Sequence, residues 1–160
     1  MRRNKRGWGM VLAAALLALL VAACGGVSSN AAQSNAKPTA APSGTLEGTK
    51  WRLQSMGAQG AEKTVEGGAP LLLQFEPGGK VSGSGGCNTF GGAYKVNGQT
   101  LTFSDMVSTL RACTDETIGN QESRYLKALQ QATRFTLAGD SLVIEYGEGK
   151  TALNFVRAAS

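Results

Sequence analysis

Not one of the chain's 160 residues is a histidine. That absence removes the Ser-His-Asp and Cys-His arrangements of nucleophilic catalysis and the ordinary imidazole proton relay. It also weakens any zinc reading, because two cysteines without histidine make half a structural site at best. Cysteine is scarce as well, at three, and no Cys-x-x-Cys pair occurs to support thiol-redox chemistry. The phosphate-loop pattern Gly-x-x-x-x-Gly-Lys-Ser/Thr is missing. The glycine-rich Gly83-Ser84-Gly85-Gly86-Cys87-Asn88 lacks both the third glycine and the following helix of a dinucleotide fingerprint. Its glycines are read as structural, with Gly86-Cys87-Asn88 as a bulge or sharp turn in which Asn88 tolerates a left-handed backbone. Carboxylates remain for acid–base work, and Asp105 or Glu116 with Arg111 are the candidates, but spacing supplies no case for a site and turns, caps and surface solvation account for them better. Excess positive charge is missing where it would matter. Of the 16 basic residues, Arg2, Arg3, Lys5 and Arg6 crowd the start, which leaves 12 against 11 acids. No Lys/Arg cluster follows, so nucleic acid is not an expected partner.

Long apolar runs are also lacking, save one. After Met1-Arg2-Arg3-Asn4-Lys5-Arg6 comes a nearly uninterrupted stretch from Val11 to Ala23, the order of a secretory signal peptide. About 13 residues rise roughly 20 Å as a helix, well short of the ~30 Å hydrocarbon core, so the run is a poor permanent span. Val21-Ala22-Ala23-Cys24 resembles the bacterial lipobox. That resemblance implies a lipoprotein signal over residues 1–23, a diacylglycerol on the Cys24 thiol, cleavage before it, and acylation of the new amino group by a chain such as palmitate. Several acyl chains hold far better than one. Cys24 is then a membrane anchor, and the chain is expected in a bacterial cell envelope with its domain on the extracytoplasmic side. The alternative is an ordinary secretory signal cut near Ala23, with Cys24 left as a thiol. Residues 24–44, rich in Gly, Ser, Ala and Asn with Pro38 and Pro42, are too small and polar to bury a core and read as a flexible tether.

From residue 45 to 157 the pattern is one domain of mostly β-structure. Strands are expected at Thr49–Gln54, Leu71–Phe75, Lys80–Ser84, Ala93–Val96, Thr100–Phe103, Arg134–Leu137, Ser141–Tyr146 and Lys150–Arg157. Glu76-Pro77-Gly78-Gly79 and Asn97-Gly98-Gln99 read as hairpin turns, the latter with Asn-Gly taking positive φ angles. Helical spacing occurs once, over Ile118–Gln131, with Ile118, Tyr125, Leu126 and Leu129 on one face and Glu122, Lys127 and Gln130 opposite. Thr114-Asp115-Glu116 offers a hydroxyl cap and acids for its positive end. The helix is expected to pack across a curled sheet, with Trp51, Phe75, Phe103, Leu129 and Phe155 filling the interior.

Gly86-Cys87-Asn88 with Phe90 two residues on, the strand around Tyr94, Leu101-Thr102-Phe103, and Thr109-Leu110-Arg111-Ala112-Cys113 before the helix form a recognisable series. Together with Gly48-Thr49-Lys50-Trp51 and Leu153-Asn154-Phe155, it resembles the META domain, also called the HslJ-like family, over nearly the whole folded region. The resemblance implies an α+β fold, a curved antiparallel sheet forming a conical half-barrel around one amphipathic helix, in bacterial envelope proteins that are often lipoproteins. It brings no established activity. Apart from the family, Cys87 and Cys113 are the even pair left once Cys24 is acylated, which in an exported domain points to a disulfide. Two buried reduced thiols are the alternative.

The expected function is a non-enzymatic, lipid-anchored domain that binds a protein partner or envelope component, with envelope maintenance under stress as the role that the family hints at. No cofactor or metal is expected. The competing expectation is a carrier of a small apolar ligand or lipid, which requires a cavity inside the half-barrel.

Overall fold

Alternation of apolar and polar residues builds almost the whole domain. In the computed structural model of the chain, residues 45–159 are described. The expected signal peptide, the Cys24 anchor and the tether to residue 44 lie outside them. The strands are β1 (Lys50–Ala58), β2 (Lys63–Thr64), β3 (Leu72–Glu76), β4 (Lys80–Ser84), β5 (Thr89–Asn97), β6 (Thr100–Ser108), β7 (Ala132–Ala138), β8 (Ser141–Tyr146) and β9 (Thr151–Arg157), with one helix, α1 (Glu116–Gln130), between β6 and β7. On β1 the pattern is plain: Trp51 and Leu53 are buried while Arg52 and Gln54 are exposed.

All neighbouring strands pair antiparallel, in the order β1-β3-β4-β5-β6-β7-β8-β9, and β9 returns to β1. The expected half-barrel is therefore corrected to a closed barrel of eight strands. Closure rests on a register running from Trp51↔Arg157 to Ala58↔Thr151, so the first and last long strands pair along the whole of β9. Alternation looks the same in an open sheet and a closed one, and only this longest-range pairing separates them. The ninth strand, β2, is a two-residue annex held on β1 by Ser55↔Thr64 and Met56↔Lys63. The seam between β6 and β7 is the thinnest, with one ladder pair, Thr100↔Arg134, and a bond from Phe135 N–H to the Gln99 carbonyl at 2.9 Å. The chain departs into α1 between these two strands.

The interior is filled as expected. Trp51, Phe75, Phe103, Leu129 and Phe155 are all buried, and α1 adds Tyr125 and Ala128 to the same cluster. Tyr125 stands edge-on to Phe90 at 5.9 Å and lies 6.3 Å from Phe155, joining the helix to opposite parts of the wall. Local chemistry departs from expectation at two turns. Asp115, not Thr114, caps the helix, its Oδ1 accepting from Thr117 N–H at 2.8 Å and Ile118 N–H at 3.3 Å. At the β5–β6 turn Gly98, not Asn97, takes positive φ, at +60°, while Asn97 pairs with Thr100 as the closing strand residue, the pattern of a two-residue turn led by glycine.

Tyr125 is fully buried, and burial pushes its phenol well above the ordinary tyrosine value. Its Oη donates to the Leu72 carbonyl at 3.3 Å. Because the folded state keeps this proton to higher pH than the unfolded state, its contribution to stability is intact below pH ~10 and is lost as pH rises through the folded value. Urea midpoints measured at neutral pH and above pH ~10 should therefore fall less for Tyr125→Phe than for the parent chain. Equal pH slopes for the two proteins would refute this account of the phenol.

Candidate functional site

Of the family-like residues, Gly86, Cys87, Asn88, Arg111 and Cys113 meet at the loop between β4 and β5. Gly85 N–H donates to the Asn88 carbonyl at 2.8 Å, and Gly86 takes the left-handed conformation with φ +101°. The left-handed residue is thus the glycine, not Asn88 as the sequence suggests. Cys87 and Cys113 are disulfide-bonded, with Cα atoms 5.9 Å apart across 26 residues.

Against this loop stands Glu122. Sequence periodicity places it on the outward face of α1, but it is only 6% exposed. Its Oε2 accepts from the N–H groups of Asn88 at 2.6 Å and Cys87 at 3.1 Å, and its Oε1 accepts from Asn88 Nδ2 at 2.7 Å. Asn88 Oδ1 in turn accepts from Arg111 N–H at 2.8 Å and Thr109 Oγ1 at 2.9 Å. Arg111 Nη2 donates to the Cys87 carbonyl at 2.6 Å. The result is a clasp of three segments, namely the β4–β5 loop, the strand exit after β6, and the helix. Gly85 makes room for it, since a Cβ there would sit 2.8 Å from Glu122 Cδ. The neighbouring Gln121 is just as buried and ties the helix to a second loop, accepting from Glu66 N–H at 2.8 Å and donating to the Glu66 carbonyl at 3.0 Å. Both residues escape a periodicity reading because their polar atoms are satisfied by groups far away in sequence.

Chemically, the clasp is closed. Its two sulfurs and a Glu122 oxygen lie within 4.8 Å of one another, but bridged sulfurs offer no thiolate to a metal and the carboxyl group already meets three donors. Glu116 borders the same open depression of about 510 Å³ as Glu122. Asp105 sits exposed with φ +53° where β6 carries an extra residue against β5, between the pairs Gly91↔Val107 and Ala93↔Ser104. Arg111 therefore serves a backbone carbonyl rather than an acid. Among the described residues the ion pairs are Lys150–Glu148 and Arg157–Asp140. Of the other family-like positions, Phe90 packs on Tyr125, Tyr94 meets Phe75 edge-on at 4.9 Å, and Ala112 is exposed beside Cys113.

Open space lies on the opposite flank of α1. A groove of about 570 Å³ runs between the β1–β2 hairpin, the helix and the end of β8. Met56 and Ala128, both buried, and half-buried Tyr146 contribute its apolar lining. Lys63, Arg124 and Lys127, all exposed, stand along it, with Glu66 as its one acid.

Two perturbations separate the covalent and polar parts of the clasp. Reducing the disulfide should lower stability by about 3.5 kcal/mol on the chain-entropy model for a 26-residue loop. Glu122→Ala leaves buried donors without an acceptor, at roughly 1–3 kcal/mol for each. Urea unfolding of the oxidised Glu122→Ala chain should thus show a loss at least comparable to that from reduction. A midpoint within error of the parent would refute the role assigned to the carboxyl group.

The sequence profile of the META domain matches residues 44–160. The NMR structure of a protein from Burkholderia xenovorans is similar, at 26% identity and a TM-score of 0.63 over 72% of this chain and 85% of that one. A second NMR structure, at 21% identity and TM-score 0.55, covers 71% of this chain and 95% of that chain. The crystal structure of a DUF4847 family protein from Bacteroides vulgatus, at 14% identity and TM-score 0.52, covers 71% and 94%. These last two speak to the fold alone, and in all three neighbours the matched region is most of the chain. No curated protein matches. With its profile match spanning the barrel, the helix and the clasp, this chain belongs to the META domain family.

Proposed function

We propose that this chain is an exported lipoprotein, held to a bacterial membrane by diacylglycerol on Cys24, whose META domain is a non-enzymatic binding module in the cell envelope. The observation that carries the binding reading is where the free space lies. The barrel interior is packed with Trp51, Phe75, Tyr125 and Phe155, whereas the groove beside α1 offers about 570 Å³, within the range of small-molecule sites. Carriage of an apolar ligand inside the barrel is less well supported, because a ligand there has to displace those aromatic side chains. A non-enzymatic role is supported by the lack of histidine and by the commitment of Glu122, the buried acid, to three N–H donors. Anchoring is supported by the order of basic start, apolar run and Val21-Ala22-Ala23-Cys24.

Both halves can be tested in cells. Globomycin should make a larger precursor accumulate, and Cys24→Ser should move the domain out of the membrane fraction. A Cys24→Ser chain that stays membrane-bound and is processed as before would refute the anchor. A photocrosslinker placed at Ala61, on the groove, should capture a reproducible envelope component from the full-length protein, whereas one placed at Thr102, on the outer wall of the barrel, should not.

A further inference from the structure

We propose that the groove between the β1–β2 hairpin and α1 binds an acidic amphiphile, a molecule with one anionic head group on an apolar chain. The inference rests on reading the groove as the binding site and adds the chemistry of its occupant. Three cations, Lys63, Arg124 and Lys127, line the groove, and none of them forms an ion pair among the described residues. On α1 the positions three and four residues from Arg124 are Asn120, Gln121, Lys127 and Ala128, and those from Lys127 are Ser123, Arg124, Gln130 and Gln131. The helix therefore gives neither cation an acid and sets the two against each other across one turn, an unfavourable spacing for like charges. Lys127 lies in the last turn, where the helix dipole favours a cation, but Arg124 is too far from that end to benefit. An anion seated between them relieves the repulsion.

The lining decides the rest of the ligand. Met56, Ala58, Ala61, Ala128 and Tyr146 give the groove apolar surface that a bare phosphate or carboxylate leaves uncovered. Gln121 is only 2% exposed and fixes the helix side of the groove through both of its bonds to Glu66. Cations at the rim above an apolar lining match a head group and a chain, respectively. Glu66 on the same rim disfavours a cationic head.

Calorimetric titration of residues 45–160 at low salt tests the proposal with octyl phosphate, inorganic phosphate and octyltrimethylammonium as probes. Octyl phosphate should bind at least about tenfold more tightly than either of the others, and its affinity should fall as salt rises. The triple variant Lys63→Gln, Arg124→Gln, Lys127→Gln changes only exposed side chains and should keep the parent's urea midpoint while losing at least about tenfold in affinity. If the triple variant does not fold, Arg124→Gln alone should show a smaller loss in the same direction. Equal binding of the ammonium probe, equal binding of inorganic phosphate, or an unchanged affinity in the folded variants overturns the proposal. If octyl phosphate fails while the Ala61 crosslinker still captures one component, the ligand class is wrong and the groove remains the binding site. If both fail, the binding reading falls with it.

Discussion

Closure of the ring by β1 on β9 is the constraint from which the rest of this domain follows. Eight strands enclose an interior just wide enough for side chains to fill, and Trp51 from β1 and Phe155 from β9 both point into it from the closing pair. Once the ring is shut, the helix has no open sheet to lie across. The chain leaves and rejoins the ring at the thin β6–β7 seam, and the helix it forms adds Tyr125, Ala128 and Leu129 to the core. A filled barrel cannot also be a container, so closure moves any binding function from the inside of the barrel to its rim.

How the helix is held determines what its other faces can do. Adjacent residues Gln121 and Glu122 reach two different loops, one at Glu66 and the other at Cys87 and Asn88. Tyr125 and Leu129 continue inward one and two turns later. With 3.6 residues per turn, these fixed positions leave Arg124, Lys127 and Gln131 on one flank, where they line the groove. The disulfide acts elsewhere. It joins the β4–β5 loop to the segment before the helix and limits the unfolded chain, whereas the carboxyl group of Glu122 orders the loop in the folded state. The two devices are therefore complementary, and losing one leaves the other in place.

Much of the fold is legible in the residues themselves. The alternation through Trp51 and Leu53, the boundaries of Lys80–Ser84 and Ser141–Tyr146, the turn at Gly98 and a single helix are all local patterns, and each lies where its pattern places it. What the sequence conceals is non-local. Ring closure depends on β1 meeting β9 across the whole domain, and no window of residues carries that information. Glu122 reads as a surface acid because its partners lie 34 and 35 residues away. Strand β2 is too short to show a period. The groove is hidden for the same reason, since Lys63 and Lys127 meet along one trough only after the hairpin folds back beside the helix.

The two walls of that groove differ in stiffness. The α1 wall is anchored by buried polar bonds and by core side chains. The facing wall is the β1–β2 hairpin, where only two ladder pairs join the strands. Bonds from Val65 N–H to the Gln54 carbonyl at 2.9 Å and from Gln59 N–H to the Lys150 carbonyl at 3.0 Å supplement them. Segments with few buried contacts open at the low end of the local stability range, so Lys63 is carried on the wall that yields and Arg124 on the one that does not. On the proposed reading, an anionic head group meets a fixed Arg124 on one wall and an adjustable Lys63 on the other. The groove's positive charge is thus shared between the two walls, with Arg124 and Lys127 on the helix and Lys63 on the hairpin.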